Sequence, residues 1–373
     1  MAISKVIRPV SDVKVGIKAE TSFGGGLADD TAFRQLPIVQ VQKPVFNTFR
    51  ESRLLSGRGL VKHKDDTIVN NRGGTVTMPF EFIATPKLLA QHLAACIQEH
   101  SESGSYKHLY EIGGQGSETG QIGGTISNNI PHTFNIAYYP FASAGTRIVG
   151  AMVSDMNISL DYGTNGGLMT VSGNYFSGFS NPVAGGTKLE TDFNGSWTAP
   201  ETTGYYNICD MSTKTLGVDD FNDNDDDDAA DADAERDVVL KSVNFNIANG
   251  VNRVGHNTNG DAEMYAIPEY NVSGNLSIKM DDNFDYTAGT NVIQDFLDGD
   301  TMKLKINIGD GTLTSVGEAN IVANIQYTGD PAQDLSENGI FHNLAFECVD
   351  AGTGDGTEAF QIELFNGESQ SAW

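Results

Sequence analysis

A run of aspartates between residues 219 and 228 is the part of the sequence whose residue types point most directly to chemistry. Carboxylate oxygens are the ligands that Ca²⁺ and Mg²⁺ prefer, which makes Asp219, Asp223, Asp225 and Asp227 weak candidates for a metal site. An EF-hand loop needs glycine at its sixth position and glutamate at its twelfth, and no frame of the run provides both. Because like charges at this density repel each other and stay solvated, the sequence favours an exposed loop over a cation site.

Other residue types that often carry catalysis are present without the spacing that catalysis needs. The seven histidines include no HExxH pair, and Cys96, Cys209 and Cys348 form no CxxC motif, so neither a zinc site nor a disulfide framework is predicted. The chain has no GxSxG motif and no Walker loop, and nothing in the spacing of its many carboxylates singles out a glycosidase pair. We therefore predict a protein that is not an enzyme and that binds no cofactor.

The overall composition favours a β-rich protein that avoids polyanions. The chain contains 42 glycines and only 19% charged residues, which fits many short strands joined by glycine-rich turns. Its formal net charge of −26 should repel nucleic acid and anionic membranes, since binding either one needs clustered lysine and arginine. The sequence shows neither a stretch of membrane-spanning length nor the apolar core of a secretion signal, so we expect folding in a reducing cytoplasm.

A strand followed by a short helix is predicted within residues 73–100. Every second residue from position 76 to position 82 is apolar, which places these side chains on one face of a strand. Thr85 and Pro86 then have the residue types of a helix N-cap and first turn. The apolar residues of the helix follow at the spacing of a core-facing stripe, and they are Leu89, Leu93, Cys96 and Ile97.

The same outline occurs again about 190 to 200 residues later, within residues 272–300, which is far beyond the period of a solenoid repeat. A strand through Leu276 and Ile278 precedes a helix predicted at residues 291–299, and residues 157–178 resemble residues 343–367 as strand, turn and strand. We therefore expect a duplicated domain, with one large sandwich as the alternative. The predicted boundaries are 1–178 for the first β-sandwich, 179–237 for a linker with the acidic loop, and 238–373 for the second β-sandwich.

One segment runs against the overall acidity of the chain. The basic loop, residues 50–64, carries Arg50, Arg53, Arg58, Lys62 and Lys64. A basic loop on an acidic protein is suited to docking against another copy of itself, and the alternative is an ordinary exposed hairpin tip.

The opening of the chain resembles that of the tail tube proteins of long-tailed bacteriophages. Their phrase x-G-x-K/A-x-E-T-x-x-G is matched by Gly16, Lys18, Glu20, Thr21 and Gly24. The two strand–helix phrases within residues 73–100 and 272–300 are similar to those of the same family. The resemblance covers most of the chain, leaves out the acidic run, and consists of loose patterns of strands and glycines.

The resemblance implies tandem tail-tube-like β-sandwiches, each with one short flanking helix, that join neighbouring copies into a ring lined by a β-barrel. Rings then stack into a hollow tube in the virion tail, assembled in the host cytoplasm, and the basic loop reaches the adjacent ring or subunit. Phage DNA passes through the lumen without specific binding, and a tape measure protein and a tail terminator are the further partners implied. The duplication favours a trimer of tandem domains over a hexamer.

Two other functions are compatible with the sequence. One is a different β-rich virion component, such as a capsid decoration or head–tail joining protein. The other is a cation-dependent surface adhesin that uses the aspartate run.

Overall fold

A computed structural model describes most of the chain. The described residues are 13–20, 22–25, 33–37, 43–52, 67–98, 100–103, 106–113, 132–141, 144–179, 188–190, 197–199, 201, 203–217, 235–279, 296–297, 299, 301–329, 332–336, 339–350 and 358–368.

Strands make up most of the described residues, which confirms the prediction of a mainly β fold. In the first half they are β1 (Lys14–Ala19), β2 (Phe33–Gln35), β3 (Val45–Ser52), β4 (Thr67–Ile83), β5 (His100–Ser103), β6 (Lys107–Ile112), β7 (Phe134–Phe141), β8 (Ala144–Asp161), β9 (Thr170–Ser177), β10 (Lys188–Glu190) and β11 (Trp197–Thr198). In the second half they are β12 (Met211–Gly217), β13 (Glu235–Asp237), β14 (Leu240–Ala248), β15 (Asn252–Val254), β16 (Met264–Ala266), β17 (Asn271–Lys279), β18 (Thr301–Ile308), β19 (Ala319–Tyr327), β20 (Ala332–Ser336), β21 (Gly339–Cys348) and β22 (Phe360–Phe365). Helix α1 (Pro86–Ile97) lies between β4 and β5.

Eight of these strands form one continuous antiparallel sheet, which we call the central sheet. Its order is β3–β4–β9–β8–β14–β17–β21–β20. The first four strands come from the first half of the chain and the last four from the second half. The described strands do not close into a barrel, because β3 and β20 stand at opposite ends of this order.

Two strands, β8 and β19, connect the central sheet to further strands through hydrogen-bonded pairing. Along one edge, β8 pairs with β7 up to Ala151 and with β14 from Asp155 onwards, and β7 continues to β1 and β2. In the second half, β19 pairs with β18 on one edge and passes from β22 to β21 on the other. The outer strands β12 and β13 follow β18, while β6 and β5 follow β22.

The order of strand pairing is the same in the two halves of the chain. The first half gives β1–β7–β8, then β10 and β9 on the far edge of β8, then β4 and β3. The second half gives β12–β18–β19, then β22 and β21 on the far edge of β19, then β17 and β14. Corresponding strands also follow one another in the same order along the sequence.

This order changes two details of the sequence interpretation. β9 pairs with β4, and β21 pairs with β17, which are the two strands that precede the helix positions. The pairing therefore matches β9 with β21. The match of residues 157–178 with 343–367 that the sequence suggested does not agree with this. The order also places the acidic run in the connection between β12 and β13, which are hydrogen-bonded to the strands of the second half. Amphipathic strands joined by glycine-containing turns look alike, which explains the first difference.

The predicted strand and helix of residues 73–100 form as expected, and both are buried. The alternating residues Val76, Met78, Phe80 and Phe82 are at most 5% exposed, and the apolar stripe of α1 is fully covered. The helix packs against β8, β6 and β22, so both halves of the chain cover it. The backbone of Thr85 has the extended conformation of an N-cap, but its side chain makes no capping hydrogen bond. Of the second predicted helix, only residues 296–297 and Gly299 are described, and residues 296–297 are helical.

A buried histidine organises the aromatic core beneath α1. His92 Nδ1 lies 2.6 Å from the carbonyl oxygen of Leu88, and Nε2 lies 2.6 Å from the hydroxyl of Tyr175. A carbonyl only accepts, so Nδ1 carries the proton and the Tyr175 hydroxyl donates to Nε2. Burial lowers the pKa of His92 to about 4, which keeps the imidazole neutral among the rings of Phe80 and Phe82.

We predict that His92→Phe destabilises the protein by about 1–3 kcal/mol, because it leaves the buried Tyr175 hydroxyl without its acceptor. The double variant His92→Phe/Tyr175→Phe should recover most of that loss, since it removes both polar partners. Urea denaturation of the two variants measures the difference, and a double variant less stable than the single one would contradict this assignment.

Candidate assembly surface

The two ends of the central sheet are open edges within the described part of the chain. There, β3 pairs only with β4, and β20 pairs only with β21. An open edge presents a row of backbone N–H and C=O groups that can pair with another strand. Val45 and Phe46, which are adjacent in β3, are also 46% and 43% exposed.

The chain already contains one junction of the kind that these edges could make. Residues 155–161 of β8 lie opposite residues 242–248 of β14 in an unbroken antiparallel register, and we call this junction the internal seam. It joins the four strands of the first half to the four strands of the second. In the repeated order, β3 takes the place of β14, and β20 takes the place of the C-terminal part of β8.

The correspondence can be followed residue by residue. β8 ends at Asp161 and β20 at Ser336, and the stretch from β19 through β20 spans residues 319–336, the same length as β8. Counting back from these ends matches Asn157 with Ala332.

The neighbouring strands agree with this match. Asn157, Ser172 and Glu81 form one cross-strand row. The matching row contains Ala332, Asn343 and Ser277.

At the other end of the sheet, Val45 matches Asn246. Val45 lies opposite Thr77 in β4, as Asn246 lies opposite Ser273 in β17. Asn246 in turn lies directly opposite Asn157 across the internal seam.

The face of the central sheet turned away from the core is dominated by small polar side chains, and we call it the polar face. Its uncharged members at the central register positions are Asn157, Ser159, Ser172, Asn174, Ser242, Asn244, Asn246, Ser273, Asn275, Ser277 and Asn343. Some of these side chains bond across strands: Asn174 Nδ2 donates to Asp155 at 2.9 Å, and the Asn275 N–H donates to Asn244 Oδ1 at 2.6 Å. The alternate positions of the same strands carry the buried apolar residues of the core.

The charges on the polar face are mainly negative. Glu81, Asp155, Asp161 and Glu347 occupy its register positions, while Lys279 lies at the end of β17. Binding of a polyanion depends on clustered cations that replace its counterions. The described part of this face offers no such cluster.

One rim of the central sheet carries two hairpins. β15 and β16 form the first hairpin and follow β14. The paired ends of β3 and β4 form the second, beyond a shift in their register near Gly73. The Gly73 N–H donates to the Gly260 carbonyl at 3.0 Å, and Arg253 donates to the Gly74 carbonyl at 3.1 Å. An open cleft of about 730 Å³ lies here, and it is lined by Gly73, Arg253, Gly255, His256, Asn257, Thr258 and Gly260.

Most of the site residues predicted from sequence lie outside the described residues. Arg53, Arg58, Lys62 and Lys64 are among them, as are Asp219, Asp223, Asp225 and Asp227. Arg50 is described in its backbone alone, opposite Val69 near the start of the basic loop. The docking role of this loop and the weak cation site therefore remain predictions.

The described residues contain neither a cluster of metal ligands nor a membrane-spanning helix. Their histidines, cysteines and carboxylates nowhere form a group of three that could hold a metal ion. Their helices include none that is long and apolar enough to cross a membrane.

Sequence reasoning did not identify the two open edges, although the signal of the polar face is present. Alternation of Asn or Ser with large apolar residues is visible in β14 and in the C-terminal part of β8. What the sequence does not show is which strands lack a second partner, because that depends on pairings between distant parts of the chain, such as residues 155–161 with residues 242–248.

The sequence matches no protein-family model and no curated protein.

We predict opposite outcomes for lysine on the two faces of β14. Asn246→Lys should change the free energy of unfolding by less than about 0.5 kcal/mol, because Asn246 is exposed on the polar face. Ile247→Lys should cost more than about 3 kcal/mol or prevent folding, because it places an unpaired charge in the core. Urea denaturation tests the pair, and similar losses at both positions would show that the two faces are wrongly assigned.

Proposed function

We propose that this protein is a structural subunit of a phage tail tube, which forms rings by edge-to-edge pairing of its central sheet and delivers DNA through the stacked rings. The observation that carries the proposal is an eight-stranded sheet that is open at both ends and already joined once within the chain by a junction of the same kind. The proposal assigns no catalytic residue and no cofactor. The resemblance to tail tube proteins supports it independently.

The internal seam supports the formation of a ring. If β3 of one copy pairs with β20 of the next, the new junction repeats the β8–β14 junction between corresponding strands. Such a head-to-tail contact leaves one open edge at each end of the growing assembly, so it ends only by closing into a ring. Closure removes the open edges, which are otherwise sites of uncontrolled aggregation.

The repeated strand order supports a ring of three chains. Each chain contributes two four-stranded units to the central sheet, and three chains give six units and a barrel of about 24 strands. This is the tandem-sandwich trimer favoured by the sequence, with a hexamer of chains as the alternative.

The polar face suits the inner wall of such a ring. Uncharged Asn and Ser side chains with interspersed carboxylates give phosphates no cations to hold them. A duplex could then move along the wall without being retained. In this arrangement the core, with α1, lies on the outer side of the central sheet.

Stacking of the rings is assigned to the rim that carries the hairpins. The basic loop continues from β3 and β4 at this rim, where its arginines and lysines can contact the acidic surface of the next ring. A tape measure protein and a tail terminator are the partners that the family resemblance adds.

The direct test is negative-stain electron microscopy of the purified full-length protein. We expect rings or hollow tubes with three copies per ring, because each copy has two complementary open edges. A protein that remains monomeric at high concentration, or that coats other particles without forming rings, would contradict the proposal.

A disulfide across the proposed junction tests its register. The residues that match Asn246 and Asn157 are Val45 and Ala332, and the same shift places Lys43 opposite Asp334, an opposite-charge pair. Directly opposed residues in antiparallel strands have Cα atoms about 4.5–5.5 Å apart, within the range of a disulfide. In a Cys209→Ser background, which removes the exposed native thiol, Val45→Cys/Ala332→Cys should give chains cross-linked to each other on oxidation.

The matched control is Val45→Cys/Ser336→Cys in the same background. It moves one thiol four residues along β20, about 13 Å from the partner position, and should not cross-link. Rings that form while neither pair cross-links would refute the register alone, whereas the absence of rings would refute the function.

A further inference from the structure

Glu20 is a partly buried residue whose carboxylate accepts hydrogen bonds from four donors. Oε2 accepts from the Gly24 N–H at 3.0 Å and from the Thr133 hydroxyl at 2.6 Å. Oε1 accepts from Asn135 Nδ2 at 2.8 Å and from the Gly150 N–H at 2.7 Å. These donors come from the turn of residues 22–25, from β7 and its preceding residue, and from β8.

Only one of the four donors can reverse its role. The two backbone N–H groups and the Asn135 amide nitrogen can only donate. The Thr133 hydroxyl can also accept, so a proton on Oε2 would find an acceptor 2.6 Å away. The second lone pair of Oε2 would still receive the Gly24 N–H. The neutral form of Glu20 can therefore keep all four of these contacts.

The pocket lies at the bend of β8, where this strand exchanges β7 for β14. Gly150 has a φ of +60° there, and the ring of Phe179 lies 2.4 Å from where a Cβ would be. The Gly150 peptide is held on both sides, because its N–H donates to Glu20 and its carbonyl accepts from the Tyr265 hydroxyl at 2.6 Å. The hydroxyl of Tyr265 also accepts from the Gly178 N–H at 2.7 Å.

Among the described residues, few ionisable groups face this carboxyl. β7 and its preceding residue present Thr133 and Asn135, β8 presents a peptide group, and β16 presents Tyr265, which interacts electrostatically with Glu20 and with Arg253 of β15. His132 precedes Thr133 and is neutral above pH 4, since burial lowers its pKa to about 4. Burial raises the pKa of Glu20 to about 8, against the opposing effect of the hydrogen bonds from Gly150, Thr133 and Gly24.

We propose that Glu20, with Thr133 as the reversible partner, is a proton-binding site that latches the turn of residues 22–25 onto the bend of β8. The neutral carboxyl avoids a buried charge and keeps its four contacts, so the latch is tight when the proton is bound. Loss of the proton leaves an anion with no described cation beside it, and the latch loosens. This inference goes beyond the proposed function and does not depend on it.

The sign of the pH effect follows from the direction of the shift. The folded protein binds this proton more strongly than the unfolded chain does, whose carboxyl has an ordinary pKa near 4.5. The contribution of Glu20 to stability is therefore complete below the ordinary pKa and is lost as the pH rises towards about 8. Within that window the folding equilibrium constant should fall by roughly tenfold per pH unit.

Infrared difference spectroscopy of the full-length protein between pH 6 and pH 9 tests the site, because ordinary carboxyls are already ionised at pH 6. We expect the C=O band of one protonated carboxyl at pH 6, lost by pH 9, and absent in Glu20→Gln. Glu368→Gln is the matched control, because Glu368 is half-buried but paired with Arg34 and Lys87, and it should leave the band unchanged.

A second variant keeps the test decisive if Glu20→Gln does not fold. Asn135→Ala removes a group that can only donate to the carboxylate, so the midpoint of the band should move upwards by about one pH unit. In the wild type, hydrogen exchange of the Gly24 amide should rise with pH faster than base catalysis alone produces. A wild type without the band at pH 6, a band that persists in Glu20→Gln, or an unmoved midpoint in Asn135→Ala would overturn the proposal.

Discussion

Backbone pairing between β8 and β14 is the interaction on which the rest of the structure depends. It is the only contact that makes one sheet of the two four-stranded halves in the described part of the chain, and it runs unbroken over residues 155–161 and 242–248. Because the two halves share this sheet, a single apolar core extends from β4 and α1 to β19 and β21. The buried backbone groups of the seam must be paired in any folded state, which fixes the relative register of the halves.

The bend of β8 is what allows one strand to serve two sheets. Before the bend its edge is occupied by β7, and after the bend the same edge is available to β14. Gly150, which has a left-handed backbone conformation, lies at this change of partner. Its N–H donates to Glu20 and its carbonyl accepts from Tyr265, and both of these residues are distant from it in the sequence. In the second half, two shorter strands, β19 and β20, take the place of the one long strand β8.

Local features could be predicted from the sequence, and long-range ones could not. The apolar alternation of residues 76–82 and the stripe of α1 specify a strand and a helix because their periods are carried by neighbouring residues. The polar face was equally visible as Asn and Ser alternation, but its position on a sheet shared by both halves was not. Glu20 was noted only as part of a family phrase, since its donors Thr133 and Gly150 lie 113 and 130 residues away. The open edges of β3 and β20 required knowledge of every other pairing.

The internal seam also bears on how an assembly of this protein would start. Each chain completes this junction while it folds, in a unimolecular step that does not depend on concentration. In the proposed ring, every second junction is therefore present before any two molecules meet, and a ring of three chains needs two bimolecular encounters where six separate units would need five. A lower reaction order makes nucleation less sensitive to dilution of the protein.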